Sequence, residues 1–300
     1  MKRREIKRTA KKMLKGNWKV AILNLIIISI LTGAISQIIL TVLGTGNSFT
    51  LIESAIQGTL SEQQIATESS IAANLITTLV SIFVGFISGL LYAGYAWNIL
   101  DMIDGAKLSI EGMFQTFSRA RIFKTAGLVI VTAILVTLWS LLLVIPGIIK
   151  TYSYSQALNL MKDDPSISIM EALNQSRKLM KGEKWNYFLL QLSFIWWYIA
   201  PIVLFALLLS ASVRTIVASL EAGSNEGFAI IIGFALLFLV VMLFVFLISF
   251  YVEPYRTTAQ QLFYRMLTDG AEYNPEQPID HTKGNNQYED KDNQLDDTTF

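Results

Sequence analysis

The sequence predicts an all-α, polytopic transmembrane helix bundle with six crossings, the fourth short and following a Pro-Gly turn, with amphipathic helices at the cytoplasmic interface. Three observations predict it. Hydrophobic residues make up 53% of the 300-residue chain and charged residues only 16%, against roughly 25% charged in an ordinary globular protein. Mean hydropathy is +0.47. Runs almost free of charge lie at about 20–43, 71–100, 126–149, 185–210 and 228–252, each near or above the roughly 20 residues needed to cross a bilayer.

Taking the elements in order, residues 1–19 carry nine bases: Lys2, Arg3, Arg4, Lys7, Arg8, Lys11, Lys12, Lys15 and Lys19. Ile6, Ala10, Met13 and Leu14 fall at helical spacing and mark an apolar stripe with the bases on the other side. Such a helix is expected to lie in the headgroup plane, where each cation gains about 1 kcal/mol near anionic lipid. The blander reading is a plain positive-inside anchor. The first apolar run is too long for the core of a signal peptide and ends without a small-residue cleavage pattern, so it reads as a retained span. The 44–70 connection has no base and carries Glu53, Glu62 and Glu68. The basic bias therefore puts the N-terminus in the cytoplasm and this polar, helix-compatible connection outside, as a cap. The second span contains Gly85 and Gly89, a GxxxG pattern that permits close helix packing within or between chains. The 101–124 connection, with Lys107, Arg119, Arg121 and Lys124, returns inside.

One crossing by 126–149 would strand Lys162, Arg177, Lys178, Lys181 and Lys184 outside, against the bias. Pro146-Gly147 offers a resolution, since proline removes a helical hydrogen bond and glycine relaxes the backbone. A helix over 126–145 would then rise, and a shorter one over 148–161 would descend. The alternative is that Pro146-Gly147 merely kinks one long span. The short leg carries Lys150, Ser153, Ser155, Gln156 and Asn159, which neighbouring helices must shield. With six crossings the C-terminus is cytoplasmic, the 211–227 connection is outside, and only Lys150 and Arg214 of the 24 bases lie off the cytoplasmic side.

The chain also repeats itself. Lys11 to Trp18, with Lys15-Gly16-Asn17-Trp18, resembles Arg177 to Trp185, with Lys181-Gly182-Glu183-Lys184-Trp185. In both, a basic amphipathic helix ends at glycine and an interfacial tryptophan, Trp18 or Trp185, opens a span. The run from Tyr95 to Asp104-Gly105-Ala106 matches that from Tyr255 to Asp269-Gly270-Ala271, and a weaker third helix is expected around 113–124. The organisation predicted is a single membrane domain, 1–268, made of three helix-plus-hairpin units (1–100, 101–161 and 162–268), followed by a tail. Residues 269–300 hold nine acids and two bases with little apolar content, so disorder is expected there.

Lys15-Gly16-Asn17-Trp18, the block from Ile145-Pro146-Gly147-Ile148 through Tyr152-Ser153-Tyr154, and Glu171-Ala172-Leu173 with Ser176 and Met180-Lys181-Gly182 carry a likeness. On them the chain resembles, over about residues 1–270, the bacterial integral-membrane family catalogued as domain of unknown function 975. More loosely, the Ala-Leu, Ser, Lys-Gly pattern is similar to the membrane domain fused to some glycerophosphodiester phosphodiesterases. No soluble catalytic domain follows here, so that activity is not carried over. The resemblance implies a bacterial cell-membrane location and supplies no catalytic residues.

The residue inventory argues against most chemistry. There is no cysteine, and the single histidine, His281, lies in the tail, which removes thiol nucleophiles, Cys/His zinc sites and histidine proton shuttles. Asp163-Asp164, before Pro165, reads as a turn and a helix start near Ser166. Asp101, Asp104 and Glu111 read as solvated interface charges. No Asp or Glu sits in the centre of a proposed span, where a proton-coupled transporter usually keeps one. Gln156 and Asn159, on the short leg, form the candidate polar intramembrane site, with structural hydrogen bonding as the alternative. Trp196-Trp197-Tyr198 read as core, or else as a lipid or hydrophobic-ligand face. The expectation is a non-enzymatic accessory or interaction protein without cofactors, engaging anionic inner-leaflet lipid, a membrane-protein partner or its own copies, and not nucleic acid. A transporter or exporter of a hydrophobic or peptide-like molecule is the alternative.

Overall fold

A computed structural model of the chain describes residues 3–43, 71–221 and 225–269. The expectations for the 44–70 connection, for His281 and for the acidic tail beyond Asp269 fall outside the described residues. Among those residues the chain forms nine α-helices, one 3-10 helix and no strand. Five helices hold stretches long and apolar enough to cross a membrane: Trp18–Val42, Asn74–Ile103, Ile122–Leu142, Lys184–Ser210 and Ile232–Thr268. The chain divides into two compact units.

The terminal unit comprises Met1–Trp18, Ile103–Gly105 and Leu179–Phe300. Its first helix, α1 (Arg3–Met13), buries Ile6, Ala10 and the following Leu14, spaced four apart so that they share one face. Arg3, Arg4, Arg8, Lys11 and Lys12 are exposed. The helix lies on α9, described below. Its apolar stripe is thus consumed by protein, with Ile6 only 1% exposed and Ala10 and Leu14 fully buried, and the hydrocarbon-facing side expected of a surface helix is not left over for lipid. Gly16, at φ +93, closes the helix in the left-handed region, where glycine carries no Cβ penalty. Gly182, at φ +86, does the same after the helix Ile169–Leu179. In both copies the N–H following the glycine donates to the carbonyl three residues back, Asn17 to Leu14 at 2.9 Å and Glu183 to Met180 at 3.2 Å.

The rest of this unit is a helical hairpin, α8 (Lys184–Glu221) and α9 (Asn225–Thr268). Both helices run past the predicted spans, because no proline or charge cluster stops them and the prolines they contain, Pro201 and Pro254, lie inside continuous helix. Ring pairs join the two: Tyr187 with Phe263, Phe194 with Tyr255 and Phe205 with Phe238, at 4.9, 5.0 and 5.5 Å between centroids.

The middle unit comprises Lys19–Met102 and Ala106–Lys178. It holds α2 (Trp18–Val42), α3 (Ile71–Ile103), the 3-10 helix Glu111–Phe117, α4 (Ile122–Leu142), α5 (Val144–Tyr154), α6 (Ala157–Asp163) and α7 (Ile169–Leu179). Two expectations change here. The third basic amphipathic helix does not form: 111–117 is a single 3-10 stretch that buries Met113 and Thr116 and ends where Ser118 turns extended. The reversal in the 122–163 hairpin falls at Leu143 (φ −159, ψ 139), not at Pro146-Gly147. Those two residues occupy the first turn of α5, where a missing proline N–H costs nothing because the first helical donors lack partners anyway.

Gly147 has a different task. A Cβ there would overlap both the hydroxyl and Cα of Ser140, so glycine lets α5 fold back flat on α4. The return leg breaks again at Ser155-Gln156 and resumes as α6. It comes all the way back: Leu128, in the second turn of α4, shares a cluster with Ala157, Met161, Ile167, Ala172 and Leu173, and the Lys124 ammonium donates to the Pro165 carbonyl.

Burial is uneven along the long helices. Among the described residues it stops at Ile28 in α2, at Leu128 in α4 and at Phe194 in α8, while in α9 it begins at Val252. The remaining halves expose large apolar side chains, including Ile30, Ile38, Ile134, Leu141, Leu204 and Leu239.

Candidate functional site

The predicted polar pair, Gln156 and Asn159, sits at the break between α5 and α6 and is buried, at 1% and 4% exposure. The break leaves backbone groups that need partners, and Ser176 of α7 supplies them. Its hydroxyl accepts from the Gln156 N–H at 3.1 Å and donates to the Ser153 carbonyl at 2.8 Å. The Gln156 amide donates to the Ser155 hydroxyl at 3.0 Å, and its oxygen accepts from the Asn159 amide at 3.2 Å. The two amides are therefore engaged with each other and with Ser155 at the break, while the Ser176 hydroxyl ties that break to α7. Lys150, on the same leg, lies 4.5 Å over the Trp139 ring and 6.0 Å from Tyr154, which screens its charge within the hairpin.

The other predicted residues separate. Trp185 is 65% exposed beside Phe188, while Trp18 is half-buried and stacks flat on Tyr251 at 4.9 Å. Trp196 is 71% exposed and Trp197 47%, so this pair is surface and not core. Among the described residues Gly85 and Gly89 are not sites of close approach, since a Cβ at Gly85 meets nothing and one at Gly89 only touches Val129 at 4.0 Å. Tight approaches among the described residues are at Gly94, beneath the Met113 carbonyl, at Gly112 against Asn98, at Gly127 against the tip of Ile169, and at Gly147. Gly85 instead lines a groove of about 500 Å³ between α2 and α3, with Ser29, Thr32, Gly33, Ser36, Ser81, Val84 and Ser88.

Two ion pairs were not legible as such. Asp101 accepts from Lys162, which also donates to the Trp97 carbonyl at 2.9 Å, and from the Gln115 amide at 3.0 Å. Asp104 takes Arg265 bidentately, with Nε to Oδ1 at 2.8 Å, and the two side chains are 10% and 5% exposed. Asp104 is not the solvated charge that its basic surroundings imply, whereas Asp101 keeps 38% of its side chain exposed while paired. The missed signal for Arg265 was a lone base inside the apolar run Leu262-Phe263-Tyr264, since a cation set among buried rings needs a partner. Asp164 does mark a turn. Its carboxylate accepts from the Ser166 hydroxyl and from the Ser166 N–H at 2.8 Å, and these bonds hold its pKa below the usual value. The start of α7 is capped two residues later, where the Ser168 hydroxyl accepts from the Glu171 N–H at 3.2 Å.

The cation with the most unusual surroundings is Lys7. Its ammonium donates to the Ser193 hydroxyl at 3.1 Å and lies 4.5 Å from the Phe194 centroid and 5.9 Å from that of Tyr255. Burial lowers its pKa. Among the described residues no group of three or more His, Cys, Asp or Glu could hold a metal.

A family model described as "Protein of unknown function (DUF975)" matches two overlapping stretches, residues 1–149 and 128–271. No curated protein and no solved structure matches the chain.

Proposed function

The chain belongs to the DUF975 family of proteins of unknown function, and from that premise we propose a bacterial cell-membrane accessory protein with six crossings and both termini in the cytoplasm. It engages anionic inner-leaflet lipid and membrane-protein partners through its basic segments, without catalysing a reaction. The observation that carries this reading is α1: its apolar face is buried against protein, so the helix is held in place and presents Arg3, Arg4, Arg8, Lys11 and Lys12 outward as a fixed basic rail. A positive rail at the end of apolar helices suits the negative inner leaflet.

The sixth crossing is supported by the return leg. Helix α4 is 21 residues long, roughly 31 Å at 1.5 Å per residue, and 144–163 retraces it to the level of Lys124. The exposed apolar halves of the long helices supply surface for lipid tails or for partner helices. Purification in mild detergent with native membrane should yield a reproducible partner or a preference for anionic over zwitterionic lipid. Absence of both would remove this proposal.

The hydroxyl-lined groove between α2 and α3 favours a second reading, an exporter of a hydrophobic or peptide-like molecule, because hydroxyls at membrane depth can satisfy polar groups of a passing solute. Flux across reconstituted vesicles that falls when the groove is filled, as by Gly33→Leu or Ser36→Leu, would establish it. Unchanged flux across a substrate panel would dismiss it.

A further inference from the structure

We propose that Lys7, at the foot of α8 and α9, binds the phosphate of an anionic inner-leaflet phospholipid; this rests on the lipid-engaging role proposed above and names its centre. Three features of the site carry it. The first is charge. The Lys7 ammonium is half-buried, and among the described residues it has no carboxylate within ion-pair distance; its partners are the hydroxyl and carbonyl of Ser193 and two rings. An ammonium has three donors. The Ser193 hydroxyl accepts one at 3.1 Å and the Ser193 carbonyl a second, long one at 3.5 Å, which leaves one donor for an anionic oxygen.

The second feature is the rail. Arg3 and Lys11 lie four residues to either side of Lys7, on the same face of α1, and both are exposed. They flank the ammonium by about 6 Å each at helical rise, a spacing that brackets one headgroup. The third is a shelf of rings. Phe194 and Tyr255 face Lys7, and one turn deeper Tyr251 stacks on Trp18 at 4.9 Å and meets Trp197 edge-on at 6.5 Å. Phe194 is buried beneath the ammonium, while Tyr255, Tyr251, Trp18 and Trp197 are partly exposed, and partly exposed rings suit the boundary between headgroup and acyl chain. Tyr251, which stacks on Trp18, is four residues before Tyr255, about 6 Å along α9, so the cation lies one turn outward of the tryptophan that opens α2, at the depth of a lipid phosphate. The lowered pKa of Lys7 agrees with a cation awaiting an anion.

The test is native mass spectrometry of the full chain from nanodiscs containing dioleoylphosphatidylglycerol in excess phosphatidylcholine, with thermal unfolding in the same discs. Lys11→Gln removes the same formal charge from the same helix and should lower phosphatidylglycerol retention roughly fivefold, as for one surface cation. Lys7→Gln should lower it by more than about twentyfold, as for a charged hydrogen bond lost in a partly buried site, and Lys7→Arg should restore most of it. Phosphatidylglycerol should stabilise the wild type and Lys7→Arg but not Lys7→Gln. Equal losses for Lys7→Gln and Lys11→Gln overturn the site and leave the diffuse basic rail standing. A Lys7→Gln defect of the same size in pure phosphatidylcholine discs overturns it too, as a purely structural role. Inorganic phosphate reproducing the stabilisation overturns the lipid as occupant. No phosphatidylglycerol preference in the wild type removes both this site and the lipid role beneath it.

Discussion

Ser176→Ala separates a structural joint from a ligand site at Gln156 and Asn159. The hydroxyl is fully buried and bridges the break between α5 and α6, with one bond to the Gln156 N–H and one to the Ser153 carbonyl. Alanine removes both at once. Each buried backbone group left without a partner costs about 1 kcal/mol at the low end, so the loss should be about 2 kcal/mol or more, a fall in Tm of about 4–8 °C for a protein of this size. Ser153→Ala is the matched control. That side chain is equally buried, but its hydroxyl only donates back to the Ile149 carbonyl at 2.7 Å within its own helix, a bond that contributes little. Its Tm should move by less than about 3 °C. Intrinsic tryptophan fluorescence on heating in detergent reads both. A Ser176→Ala protein no less stable than Ser153→Ala would refute the joint and restore Gln156 and Asn159 as candidate binding groups.

Gly147→Ala places a methyl on Ser140 and should cost about 1–3 kcal/mol as overpacking, whereas Gly85→Ala meets nothing and should be neutral or gain up to about 1 kcal/mol from helix propensity; paired melting curves decide it. Arg265→Met strands the buried Asp104 carboxylate and should cost about 3–5 kcal/mol, with Asp104→Leu in the same chain recovering much of the loss; non-recovery in the double variant would show that the pair is not coupled. The depressed pKa of Asp164 contributes stability that is present above the ordinary carboxylate value and lost as pH falls through the folded one. Asp164→Asn should therefore flatten the acid limb of a Tm-against-pH curve below about pH 4, and an unchanged limb would contradict it.

Much of the fold was legible because apolar length and basic bias are one-dimensional signals. The five long helices lie where charge-free runs stand, and the repeated Lys-Gly motif at Gly16 and Gly182 emerges as two left-handed helix stops with the same backbone bond. What was not legible depends on who packs on whom. The stripe Ile6-Ala10-Leu14 reads identically whether it faces lipid or protein, and only the position of α9 decides for protein. The Pro-Gly pair marked the hairpin but not its turning point, because proline is as comfortable in a first helical turn as in a loop. Gly85 and Gly89 carry the sequence pattern of close packing, while close approaches are made at Gly94, Gly112, Gly127 and Gly147, which carry none. The ion pairs of Asp101 and Asp104 join residues 61 and 161 positions apart, a distance no local pattern spans. Gln156 and Asn159 were found as a polar cluster at a helix break; their amides bond each other and Ser155, and Ser176, which satisfies the broken backbone at Ser153 and Gln156, lies in a different helix.

The six-crossing topology rests on residues 162–184 being cytoplasmic, and a single cysteine tests it directly. The chain has none of its own, and Met170 is 57% exposed on α7, so Met170→Cys gives an accessible thiol without disturbing the core. In intact cells an impermeant maleimide should leave it unlabelled, and permeabilisation should expose it to full reaction, while Ser61→Cys in the 44–70 connection labels from outside in both conditions. Labelling of Met170→Cys in intact cells would mean that 122–163 crosses once, and the arrangement of basic segments on one side of the membrane would fall with it.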